Sequence, residues 1–117
     1  MPESRIPDRT FQFSMGILDF YKKLILEKEF IISKQLLRNA SSIGTNVQEA
    51  SVAYSKKEFA HKMSIASREA RETQYWLKIL NEGSLVDINL SSYMYEIHSI
   101  IIIATAIVKT AQKSFNK

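Results

Sequence analysis

After residue 7 the chain has no proline, its three glycines stand at positions 16, 44 and 83, and its apolar residues recur in steps of three and four. Breakers so sparse allow long uninterrupted helices, and the spacing indicates which side of each helix turns inward.

Four segments carry the pattern. In the first, Phe11, Met15, Leu18, Tyr21 and Ile25 share a face, and Asp8 after Pro7 suits a cap. In the second, Leu36, Ala40, Ile43, Val47, Ala50 and Tyr54 form a heptad seam,. Ser55 and Glu58 read as a capping box that opens the third. Its seam is Phe59, Met63, Ala66, Ala70, Thr73, Leu77 and Leu80, and Asn81-Glu82-Gly83 predicts a left-handed stop,. The fourth, starting near Asn89 or Ser91, carries Tyr93, Ile97, Ile100, Ala104, Ile107 and Ala111, with a second stripe at Ile101, Thr105 and Val108.

These patterns predict an all-α chain, one domain over residues 1–117, folded as an antiparallel up-and-down four-helix bundle. The helices are expected over roughly 8–29, 33–54, 56–82 and 90–114, with fraying tails at 1–7 and 114–117. A fourth helix apolar on so much of its circumference needs covering. Either another subunit covers it in a ring-like homo-oligomer, or it lies deep within one subunit.

Composition narrows the function classes. There is no cysteine, which excludes disulfides, thiolate metal sites and a cysteine nucleophile,. The start, MPESRIPDRTFQF, has no secretory pattern, so a cytoplasmic protein is expected,. The most apolar run, SIIIIATAIV at 99–108, is about half the roughly 20 residues a bilayer requires, and no membrane partner is expected,. A net charge of +4 points weakly to nucleic acid,.

The stretch SREARETQYWLKIL, residues 67–80, carries more ionic groups than one solvated face needs. On the second helix Arg38, Ser42, Asn46 and Glu49 share a face; on the third, Lys62, Ile65, Glu69, Glu72 and Trp76 do,. If the chain reverses near Ser55, Glu49 meets Lys62, Ser42 meets Glu69 and Arg38 meets Glu72. That predicts a polar seam ending at Trp76, with Arg68, Arg71 and Lys78 outside. Such a seam fixes register more than it stabilises, because desolvation offsets attraction.

Catalytic arrangements are not expected. A di-metal bundle requires a Glu-x-x-His on each of two helices; only Glu58 and His61 have that spacing, and His98 follows no such glutamate, so no metal or other cofactor is expected,. NASSIGTN at 39–46 has one glycine and no lysine where a phosphate loop needs it; its small residues suit close helix approach instead,. No small-molecule substrate and no enzymatic activity are expected.

SKQLLRNASSIGTNVQEA followed by SKKEFAHKMSIASREARETQYWLKIL resembles the 23S ribosomal RNA intervening-sequence proteins, a four-helix bundle family. The likeness covers most of the chain. It falls on Gln35, Leu36, Arg38, Ser42, Ile43, Asn46 and Glu49, then on Ser55, Phe59, Ile65, Ala66, Glu69, Glu72, Thr73, Trp76 and Leu77. Gln48 and Arg68 depart mildly from it, where many relatives have alanine and lysine. The resemblance implies a ring-like homopentamer. Through a related branch, the accessory variability protein of diversity-generating retroelements, it also implies association with RNA or with a nucleic-acid-processing protein.

Two function classes follow. One is a non-enzymatic oligomeric scaffold that meets RNA through diffuse basic surface, with Lys56, Lys57, Arg68, Arg71, Lys78, Lys109 and Lys113 as candidate contacts. The other is a protein-interaction adaptor that holds a polypeptide partner on its oligomeric face and binds no nucleic acid.

Overall fold

The structure is a computed structural model and describes residues 2–115. Four helices account for most of it, α1 (Pro2–Leu26), α2 (Ile32–Ala50), α3 (Lys56–Glu82) and α4 (Ser91–Phe115), with no strand among the described residues. Each helix packs on the next, and α4 returns to α1 through the sparsest of the four contacts. Residue numbers fall on α3 as they rise on α2, for Glu49 lies against Lys62 and Asn39 against Glu72. The two helices therefore run antiparallel.

The α2 and α3 seams turn inward largely as their spacing predicts. Leu36, Ala40, Ile43, Val47 and Ala50 are buried against Met63, Ala66, Ala70, Leu77 and Leu80. Tyr54 does not join them, because α2 ends at Ala50 and leaves Tyr54 in the turn, fully exposed. On α4, Ile97, Ile100, Ile101, Ala104 and Ile107 enter the same core. On the second stripe of α4, Ile101 retains 7% of its surface and Val108 packs half-buried against the core, while Tyr95 and Ile102 of the same helix stay exposed. By length and composition α4 could cross a bilayer; in this bundle its inward face is core.

The largest correction concerns α1. Its buried face is Ile6, Thr10, Phe13, Ile17, Phe20 and Leu24, whereas Phe11 and Met15 remain 53% and 46% exposed. Both faces are apolar at helical spacing, so periodicity could not choose between them. The helix also begins earlier than expected. Residues 2–7 are helical, Ile6 is buried, and Asp8 lies inside the helix instead of capping it. Pro7, the sixth residue of α1, lies inside the helix and supplies no amide to it,. At the other end Ser114 is helical too, while residues 1, 116 and 117 lie outside the described residues.

The helix ends show why each segment stops. Lys28 adopts φ 64°, and its neighbours close a Schellman turn, Glu29 N–H donating to Leu24 and Lys28 N–H to Ile25,. The Glu29 carboxylate then accepts from the amides of Ile31, Ile32 and Ser33, opening α2. At α3, Ser55 accepts from the Glu58 amide at 3.0 Å, but the Glu58 side chain reaches the Tyr54 amide rather than that of Ser55. The left-handed residue after α3 is Ser84, φ 51°, not Gly83, whose φ is −80°. Glycine stands at 83 for a different reason: a Cβ there would lie 2.7 Å from the Ile79 carbonyl oxygen.

Candidate nucleic-acid interface

The outward face of α3 is set by its inward one. With Met63, Ala66, Ala70, Thr73, Leu77 and Leu80 in the core, the opposite stripe is Lys57, His61, Ser64, Arg68, Arg71, Tyr75 and Lys78, each three or four residues from the last,. Every one of these is exposed and none is a carboxylate. At 1.5 Å per residue the stripe runs about 32 Å.

Neighbouring helices add to its edges. Arg71 Nη2 donates to Thr105 Oγ1 of α4 at 3.0 Å. Lys109 and Lys113 lie one and two turns beyond Thr105, exposed on that helix,. Lys56 is exposed but sits one position round the first turn, off the stripe. From the α2 side Arg38, its side chain 60% exposed, approaches Glu69 at 3.7 Å and donates to Gln35 at 3.0 Å. Of the seven basic residues expected to meet nucleic acid, then, Lys57, Arg68, Arg71 and Lys78 share one line and the other three flank it.

Beneath the stripe lies the polar seam between α2 and α3. Lys62 Nζ meets Glu49 at 2.7 Å, and that hydrogen bond raises the Lys62 pKa above its ordinary value. The remaining expected pairs are replaced. Arg38 faces Glu69, not Glu72, and no Ser42–Glu69 contact forms; Ser42 instead accepts from Asn46 Nδ2. The place at the centre belongs to Asn39, which has no exposed surface. Its Nδ2 donates to Glu72 at 2.8 Å and to Glu69 at 3.2 Å. Two carboxylates accept only, so the amide orientation is fixed by its partners. In the sequence Asn39 stands beside the apolar seam rather than on the polar stripe. Its signal was the step of three from Leu36, which puts it on the buried arc.

Trp76 is half-buried against the core and meets the Tyr75 ring edge-on, centroids 5.7 Å apart. Beside the pair is a hollow of about 490 Å³ lined by Gln35, Arg38, Arg68, Arg71, Glu72, Tyr75 and Trp76. A second hollow, about 510 Å³, is lined by Tyr75, Lys78, Ile79, Glu82 and Gly83.

Elsewhere, a cleft of about 630 Å³ between α1 and α4 holds the Arg9–Glu96 ion pair, which raises the Arg9 pKa. On the α1–α2 side, Phe11, Ser14, Ser41, Gly44, Thr45, Gln48 and Glu49 line a groove of about 420 Å³. The helices approach closely there. Ser14 Oγ donates to the Ala40 carbonyl at 3.0 Å, and Gly44 faces Ser14. His61 and His98 are both exposed, and among the described residues no group of three or more His, Asp or Glu side chains is placed to hold a metal ion.

Comparison with known proteins places the fold. The family described as 23S rRNA-intervening sequence protein matches residues 3–106. The chain belongs to that family. A crystal structure of a protein of unknown function from the S23 ribosomal protein family of Bacteroides thetaiotaomicron is similar over 93% of this chain and 99% of its own, at 35% identity and a TM-score of 0.87. Among curated proteins no significant match is found. The family match takes in the whole α2–α3 pair that carries the polar seam.

Proposed function

We propose that the protein is a non-enzymatic oligomeric scaffold that associates with RNA through its α3 face. The observation that carries this is the exposed line from Lys57 to Lys78, basic at four positions, aromatic at one and without a carboxylate. Phosphates are bound chiefly by such arrays, with each neutralised phosphate releasing counterions. Assembly multiplies the effect: five copies at +4 each carry about +20,.

The ring itself is supported by the apolar surface left on α1. Phe11 and Met15 stand out from the bundle beside the α1–α2 groove, where a neighbouring copy would cover them,. Ile102 and Tyr95 leave apolar surface on α4 for such a contact as well. No membrane, cofactor or small-molecule substrate enters the proposal, and the working compartment is the cytoplasm.

Sizing by light scattering, with and without a mixed RNA pool at low and moderate salt, tests both halves. The proposal expects a species several times 13.5 kDa that grows with RNA at low salt and less at moderate salt. A monomer at micromolar concentration contradicts the ring. An oligomer indifferent to RNA contradicts the nucleic-acid half and leaves a protein-interaction adaptor.

A further inference from the structure

We infer that Tyr75 is a stacking platform for an unpaired base, and that the ligand of the α3 face is single-stranded RNA rather than duplex. The inference rests on the RNA reading above and narrows it to one site. Tyr75 is 60% exposed on the basic stripe, between Arg71 and Lys78, where a solvated helix face would ordinarily carry a polar side chain. The ring lines both the hollow that holds Arg38, Arg68 and Arg71 and the hollow that holds Lys78. A base laid on it therefore has guanidinium groups in the hollow to one side and an ammonium in the hollow to the other. Phosphates flanking that base fall toward those cations.

The platform is braced from below. Trp76 meets the Tyr75 ring edge-on and packs against the core, so the tyrosine is braced by a half-buried neighbour. Glu72, the carboxylate lining the arginine hollow, already accepts from Asn39; its remaining acceptor capacity suits a base amino group or a ribose hydroxyl,. Glu82 in the other hollow lies 3.9 Å from Lys78. Duplex RNA keeps its bases stacked on one another and would offer this site phosphates and ribose hydroxyls but no free base face. Unpaired bases stack on aromatic rings with little regard to sequence, beside cations that follow the backbone.

One tryptophan in the chain makes the test local, since Trp76 lies against the platform. Its emission is followed while a 15-nucleotide oligouridine, a 15-base-pair RNA duplex or inorganic polyphosphate is titrated at about 50 mM salt, a range in which phosphate contacts remain strong, with binding measured separately by mobility shift. Expected is a saturable emission change with oligouridine alone. Tyr75→Ala should weaken oligouridine binding about ten-fold or more, Tyr75→Phe should retain it, and both should keep wild-type helicity. If oligouridine binds but emission is unmoved and Tyr75→Ala binds as wild type, the platform is wrong and the basic stripe stands. Emission changes as large with duplex or polyphosphate would also overturn it. Should neither oligouridine nor duplex bind, the RNA reading itself fails.

Discussion

Asn39 Nδ2 donates to Glu72 at 2.8 Å from a position with no exposed surface, and the same amide group reaches Glu69 at 3.2 Å. A single buried side chain thus supplies hydrogen to two carboxylates across the α2–α3 contact. Asn39→Ala removes it and leaves Glu69 buried without that donor. The expected loss is about 2–3 kcal/mol in urea unfolding. Arg38→Met should lose less than about 1 kcal/mol, because Arg38 is exposed and 3.7 Å from Glu69,. Equal losses for the two variants would contradict Asn39 as the centre of the seam.

Tyr93 sets an alkaline limit. Burial pushes its pKa above the ordinary value, and Asp19 adds to the shift. The folded state therefore holds the phenolic proton longer than the unfolded chain does. Stability from this group is fully present below about pH 10 and is lost as pH rises through the folded value. Lys62 and Arg9, also raised, act in the same direction. Because Tyr93 stacks on Phe20 at 4.7 Å, Tyr93→Phe should keep the melting temperature at pH 7 and lose less of it between pH 9 and 11 than wild type. Parallel wild-type and variant curves across that range would argue against this.

Turn positions and helix positions should respond oppositely to glycine. Ser84→Gly relieves φ 51° and should stabilise by about 0.5–1 kcal/mol, while Gly83→Ala brings a Cβ to 2.7 Å from the Ile79 oxygen and should destabilise by at least about 1 kcal/mol,. Inside α2, a Cβ at Gly44 would sit 3.5 Å from Ser14 Oγ, an ordinary contact, so Gly44→Ala should gain up to about 1 kcal/mol of helix propensity,. Thermal melts of the three variants decide the signs.

Much of the bundle was legible because α2 and α3 each have one apolar seam and one charged stripe. Leu36 to Ala50 and Met63 to Leu80 went inward as their steps required. On α1, Phe13, Ile17, Phe20 and Leu24 compete with Phe11, Met15, Leu18, Tyr21 and Ile25, and only the placement of α2 and α4 decides which set is covered. Pairing within the polar seam was legible where two long side chains meet, as in Lys62–Glu49. It was not legible at Asn39, a short, fully buried side chain beside Ala40 of the apolar seam that meets both carboxylates. The α3 stripe could have been read at once from Lys57, His61, Ser64, Arg68, Arg71, Tyr75 and Lys78, since its steps are as regular as those of the core.

Assembly through α1 has its own variant. Phe11→Glu places a charge on the exposed rim of the α1–α2 groove without touching the core. Helicity should match wild type and the oligomer should fall to a smaller species by analytical ultracentrifugation. An unchanged oligomer at equal concentration would remove α1 from the interface.

The account turns on the α3 stripe meeting phosphates, and the salt dependence of oligouridine binding measures that directly. For the protein carrying Lys57→Gln, Arg68→Gln and Lys78→Gln together, the slope of log affinity against log salt should be shallower than wild type by about 2, three contacts at roughly 0.7 each. Equal slopes, with the triple variant folded and binding as tightly as wild type, would contradict the α3 face as the RNA-binding surface.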